Sequence, residues 1–139
     1  MLSRWYSIGT QQFQNNTAIT SFDEFELFVG VTNNLYQSFS GCSSLRSIIV
    51  PLSVTAIGNY AFRNCGLQRA VLPASITSIG SMAFQGFVGG ALTIYATTPP
   101  TLGSNNNFVS CVIYVPSESV DAYKTAWSAH ASKIQPIQE

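Results

Sequence analysis

Apolar and polar residues alternate in short bursts along this chain, and the bursts recur. In Ser47-Ile48-Ile49-Val50-Pro51 the β-branched run predicts a short strand, with Ile48 and Val50 facing inward and Ser47 and Ile49 outward. Pro51 ends that strand, because proline has no N–H to donate to a neighbour. Leu92 to Ala96 and Val112 to Pro116 read as further strands, and Thr97 to Asn107 as a loop by its prolines, glycine and asparagines. After Pro116 the period changes. Val120, Tyr123, Trp127 and His130 recur at helical spacing, with Ser117 as N-cap and Glu118 in the first turn, which predicts a helix over 117 to about 131.

The bursts also repeat in their letters. Leu45 to Cys65 and Leu67 to Phe87 keep Leu, Pro, Ser, Thr, Ile, Gly, Ala and Phe in register, with Pro51 and Pro73, like Gly58 and Gly80, 22 residues apart. A fixed period of about 20 to 29 residues is the mark of a leucine-rich-repeat solenoid, whose units stack because none can bury its apolar face alone. A weaker copy runs from Gly30 to Cys42, and Phe108 with Cys111 repeats the spacing of Phe39 with Cys42 and Phe62 with Cys65. The expected architecture is therefore four rungs of short parallel strands, with turns or short helices opposite and a helix closing the C-terminal end. Gly58 and Gly80 are expected to supply tight turns at positive φ. Ala61-Phe62 and Ala83-Phe84 place a small and a large residue at the same height in successive coils, so that the rings form a buried column. One domain results: an N-terminal segment or edge cap over 1–24, around Trp5, Tyr6 and Phe13, a solenoid over 25–116, and a capping helix and tail over 117–139.

The pattern L-x-x-I-x-I-P-x-S-V-T-x-I-G-x-x-A-F-x-x-C at Leu45 to Cys65, nearly repeated at Leu67 to Phe87, resembles the BspA-type leucine-rich repeat. The tail Ile94 to Gly103, then Val112 to Trp127, is similar to the way many such chains from Bacteroides-type gut bacteria end. The resemblance runs over Ser21 to Ile137 and leaves out Met1 to Thr20. Two positions depart from it, Leu35 standing at the turn glycine and Phe87 at the cysteine. It implies a cell-surface or secreted protein used in adhesion, with no catalytic residues to transfer.

Composition suits an extracellular or virion protein better than a cytosolic enzyme. Of 139 residues 46% are hydrophobic and only 9% charged, against about a quarter charged in typical soluble domains, and the net charge is zero. No basic stripe is present to neutralise nucleic-acid phosphates, and no apolar run reaches the ~20 residues of a membrane-spanning helix. Acidic residues stop at Glu26 and resume at Glu118, so the repeats lack general acids and are short of the carboxylates that calcium or magnesium sites need. The only histidine, His130, could pair with Cys111 as a nucleophile, yet no third group orients them. The three cysteines match no zinc motif and are read as small buried ladder residues, although Cys42 and Cys65 sit close enough in the repeat to form a disulfide. Asn15-Asn16-Thr17 is a glycosylation sequon with meaning only in a eukaryotic secretory route.

What remains is the outward strand face. Alternation assigns it Ile49, Arg69, Val71, Thr93, Tyr95, Val112 and Tyr114 as partner-binding candidates, with Ile49, Val71, Tyr95 and Tyr114 expected in one column. The expectation is a non-catalytic module that binds a protein or glycan, without cofactor, metal, nucleic acid or membrane span, at a cell surface, in secretion or on a virion. The alternative is a structural spacer or phage virion appendage without a ligand of its own. The oligomeric state is left open.

Overall fold

Short strands dominate the structure, a computed structural model describing residues 11–27, 30–31 and 35–138. In chain order they are β1 (Ser21–Phe22), β2 (Ser47–Ile49), β3 (Ala56–Ile57), β4 (Arg69–Leu72), β5 (Ser78–Ile79), β6 (Phe87–Val88), β7 (Ala91–Ile94), β8 (Thr101–Leu102), β9 (Phe108–Val109), β10 (Val112–Val115) and β11 (Ile134–Pro136). The single α-helix among the described residues is α1 (Val120–Ala126), flanked by 3-10 turns at Ser117–Ser119 and Ser128–Lys133. Every strand pairing is parallel, in a six-stranded sheet β1-β2-β4-β7-β10-β11, a three-stranded sheet β3-β5-β8 and a two-stranded sheet β6-β9.

Register follows the repeat. Ser47 lies level with Arg69 and Arg69 with Ala91, each 22 residues on, while Ser21 to Ser47 spans 26 and Ala91 to Val112 spans 21. The six-stranded sheet thus has two more rungs than the four expected, one at each end. On its inner side Ile48, Ala70, Leu92, Ile113 and Ile134 form one level row, all fully buried. Identical positions meet across coils, so an apolar residue at one height is buried by its own copies above and below.

The opposite side of the core is a column of rings. Phe13, Phe39, Phe62 and Phe84 stack at centroid separations of 5.2, 5.3 and 5.4 Å, nearly parallel. Phe108 continues the column at 6.1 Å, tilted, and Trp127 closes it at 6.5 Å with an interplanar angle of 2°. Phe13 belongs to this column, so the ladder already runs through the stretch assigned by sequence to an N-terminal cap; Trp5 and Tyr6 lie outside the described residues.

Each coil turns through two left-handed residues, not through its conserved-looking glycine. One series of positive φ values runs Gln11, Gln37, Tyr60, Met82 and Asn105, and the second Asn15, Gly41, Asn64, Gly86 and Ser110. Gly58 and Gly80 are absent from both, which corrects the expectation of positive φ there. Glycine at 80 answers a different demand: a Cβ would lie 2.5 Å from the Asn59 backbone nitrogen, and at Gly103 2.4 Å from that of Ser81. Successive turns approach too closely for any side chain. Leu35, at the corresponding height, is buried and itself left-handed, with φ 59°.

The C-terminal segment is a further coil as much as a lid. Its α-helical part spans only Val120–Ala126, and no side-chain cap forms; the Ser117 hydroxyl turns to Glu118 instead. The chain then lays β11 beside β10, so the sheet edge is extended while Trp127 covers the end of the ring column. The predicted loop after Thr97 contains β8, which adds a rung to the second sheet.

Candidate functional site

Parallel pairing fixes the heights of the outward residues. Ile49, Val71, Thr93 and Tyr114 form one level row, and Ser47, Arg69, Ala91 and Val112 another. Thr93 therefore occupies the place in the column that alternation alone gave to Tyr95. Tyr95 lies on the same face one residue beyond β7 and is exposed at 49%, the one apolar candidate that is. Ile49, Val71, Thr93, Val112 and Tyr114 are half-buried, shaded by their neighbours in the row.

Arg69 is held in place. Its Nη1 lies 3.6 Å from Asp23 Oδ2 and donates to Ser47 Oγ at 3.4 Å, while the Ser47 hydroxyl donates to Asp23 Oδ1 at 2.5 Å. With both side chains about half exposed the ion pair contributes little stability, yet it fixes the guanidinium at the β1 end of the face.

Toward the other end the face opens into two shallow hollows on either side of Tyr95. One, about 340 Å³, is lined by Thr93, Tyr95, Tyr114, Ile137 and Gln138. The second, about 360 Å³, is lined by Tyr95, Thr97, Pro116, Ser117, Glu118 and Ile137. Neither lining includes a lysine or arginine. The backbone around Tyr95 is clamped from within: Tyr95 N–H donates to Leu72 O, the Tyr123 hydroxyl to Ala96 O and the Ser119 hydroxyl to Thr97 O, both hydroxyls at 2.7 Å. The Trp127 indole N–H reaches Pro100 O at 2.9 Å. The C-terminal coil thus sets the position of the exposed ring.

Ile137 and Gln138 were not among the residues the sequence singled out, and Ser117 and Glu118 were read only as the start of a helix. The signal was slight, a lone Ile134 two residues before Pro136, where Val50-Pro51 and Val115-Pro116 close true apolar runs. A third hollow, about 440 Å³, lies over the second sheet, floored by Gly58, Gly80 and Gly103 with Tyr36 at its side. It went unforeseen because small residues read as packing.

The cysteines and His130 lie in or against the core. All three cysteines are free and buried. Cys42 and Cys65 thiols donate to the Phe13 and Phe39 carbonyls of the preceding coil at 3.0 and 2.9 Å, and Cys111 to Val112 O at 3.4 Å. The hydrogen bond with Cys42, then burial, pushes the Cys65 thiol far up, and burial raises Cys111 to about 11. His130 stands edge-on to Phe108 at 5.0 Å with Nδ1 unpartnered, and burial followed by the charge of Lys133 lowers its pKa. No hydrogen bond joins His130 to Cys111 among the described residues, and no three His, Cys, Asp or Glu side chains there gather as a metal site.

Residues 6–89 match the sequence model of the BspA type leucine rich repeat region, in 6 copies. The match begins ahead of Ser21, within the stretch the resemblance had left out, and stops short of the C-terminal coils. No curated protein matches the chain.

Proposed function

Because the chain belongs to the BspA-type leucine-rich-repeat family, we propose that it is a non-catalytic recognition module of solenoid type, which engages a protein or glycan on a cell or microbial surface through the outward face of its six-stranded sheet. One observation carries the reading: a regular, nearly uncharged face ends in an exposed tyrosine whose backbone is fixed on both sides. Rigid repeats offer such faces at little ordering cost on binding. The absence of carboxylates between Glu26 and Glu118 supports a role without acid–base chemistry. Adhesion outside the cell suits the low charge, and no helix among the described residues is long and apolar enough to cross a membrane.

An array of matrix proteins and glycans probed with the intact chain and with Val71→Lys/Thr93→Lys tests this. Binding by the natural chain that the two mid-face lysines abolish supports recognition at the sheet. A chain that binds nothing on the array overturns it and leaves the rival role of structural spacer or virion appendage.

A further inference from the structure

Resting on that reading, we infer that the ligand class is a neutral carbohydrate, stacked on the ring of Tyr95 with flanking sugar units in the two hollows beside it. Three features of the site converge on this class. First, the platform is a single flat aromatic ring, exposed and carried on a hydrogen-bonded backbone. Tyr95 is 49% exposed and shares the lining of the first hollow with Tyr114, so its ring is available for stacking. Amphipathic aromatic rings of this kind present one apolar face and one polar tip.

Second, the surroundings set hydroxyl, amide and carboxylate groups beside the apolar Ile137 and Pro116. Thr93 and Gln138 line one side, Thr97, Ser117 and Glu118 the other. Such groups match the alternating donors and acceptors of sugar hydroxyls. With no cation in either lining and a carboxylate in one, sulfated or carboxylated saccharides are repelled where neutral ones are not.

Third, scale and apolarity fit a small chain of rings and not a protein interface. Hollows of 340 and 360 Å³ fall at the lower end of the roughly 300–1,000 Å³ typical of small-molecule sites. A stable protein interface needs about 800 Å² on each partner around an apolar centre. Among the described residues the exposed large hydrophobics are Tyr36, Leu52, Tyr95 and Val109, and of these only Tyr95 lines the two hollows. One exposed ring with Ile137, Pro116 and polar groups at its border can hold a saccharide; it is too small to form the apolar centre of a protein contact.

Calorimetry of the intact chain with maltohexaose, cellohexaose, xylohexaose and N-acetylchitohexaose, and with heparin as the acidic comparator, tests the assignment. At least one neutral hexaose binds and heparin does not. Tyr95→Phe keeps the stacking face, whereas Tyr95→Ala removes a contact on the scale of an aromatic pair and raises Kd about tenfold. Thermal melts of both variants show that the fold is retained. Binding unchanged in Tyr95→Ala, binding of heparin alone, or no neutral hexaose bound overturns the carbohydrate assignment. If the array then finds a matrix protein displaced by Val71→Lys/Thr93→Lys, the recognition module stands and only the sugar falls; a silent array removes both.

Discussion

Asn106 offers a sharp test of how the coils hold together. In each earlier coil the backbone N–H of the column phenylalanine donates to the carbonyl just before the next ring: Phe13 to Ser38, Phe39 to Ala61, Phe62 to Ala83. The following coil carries one extra residue, since Met82 N–H meets Ser104 O while Phe84 stacks on Phe108. The backbone carbonyl is thereby displaced, and the Asn106 side chain replaces it. Its Oδ1 accepts from Phe84 N–H at 2.8 Å, and its Nδ2 donates to Gly80 O at 3.0 Å and Gly103 O at 2.9 Å, in a side chain 4% exposed. Asn106→Ala strands one buried donor and removes a donor from two carbonyls; at roughly 1 kcal/mol for each bond, and 1–3 for a buried group left unpaired, the loss is about 3 kcal/mol. That is a large share of the roughly 5–15 kcal/mol that holds a domain folded. Asn106→Asp is worse at neutral pH, because a carboxylate then faces two carbonyl oxygens. Burial and those oxygens raise its folded-state pKa above the ordinary ~3.9, so the unfolded chain ionises first as pH rises and the Asp penalty grows with pH. As pH falls through the folded pKa, the protonated acid donates again and the gap to the natural chain narrows. Urea unfolding followed by circular dichroism at pH 7 and at acid pH measures both effects. An alanine variant within about 0.5 kcal/mol of the natural chain, or an Asp gap that does not close at low pH, refutes the reasoning.

Three further outcomes follow from the interior. Gly80→Ala drives a Cβ to 2.5 Å from Asn59 and destabilises by about 1–3 kcal/mol through overpacking, read as a lower urea midpoint at unchanged slope; unaltered stability removes the close-approach account of this glycine. Native protein at neutral pH leaves Cys65 and Cys111 unmodified by iodoacetamide, with any slow labelling confined to Cys42, whose thiol is lowered by its hydrogen bond with Cys65; all three react in urea, as mass spectrometry will show. His130 takes a proton less readily folded than unfolded, so stability declines as pH falls below about 6.5 and levels off once the folded imidazole is charged too. Comparison with His130→Phe isolates that component, and an equal pH slope in both proteins contradicts it.

The stacked residues were the legible ones. Phe62 and Phe84, or Ile48 and Ala70, contact their own counterparts in the next coil, so the demand that fixes one residue fixes its copy, and the alignment of two segments exposes the packing directly. Where coil length changed, legibility failed. Ser21 to Ser47 spans 26 residues and the Phe84 to Phe108 step 24, so β1 and β8 disappeared into apparent cap and loop. Glycine misled for another reason: its letter records that a side chain does not fit, without saying whether a dihedral or a neighbouring turn forbids it. At Gly80 it is the neighbour, while left-handed positions fell to Tyr60 and Met82, letters that carry no such signal.

The same logic explains why the candidate site was half visible. Outward residues do not stack on copies of themselves in a core, so no repetition announces them and only alternation applies. Alternation gives the face and not the height. It placed Tyr95 on the correct side of the sheet yet in the wrong row, because β7 and β10 pair Thr93 with Tyr114. The error is informative: a tyrosine inside the row would be shaded by Val71 and its neighbours, as half-buried Tyr114 is, whereas one residue past the strand it stands clear of them. That position also brings its backbone within reach of Ser119 and Tyr123, whose hydroxyls bind the carbonyls of Thr97 and Ala96. The coil that departs from the repeat is therefore the one that fixes the backbone just beyond the exposed ring. A site assembled at that irregularity is free to differ between chains whose regular coils are alike.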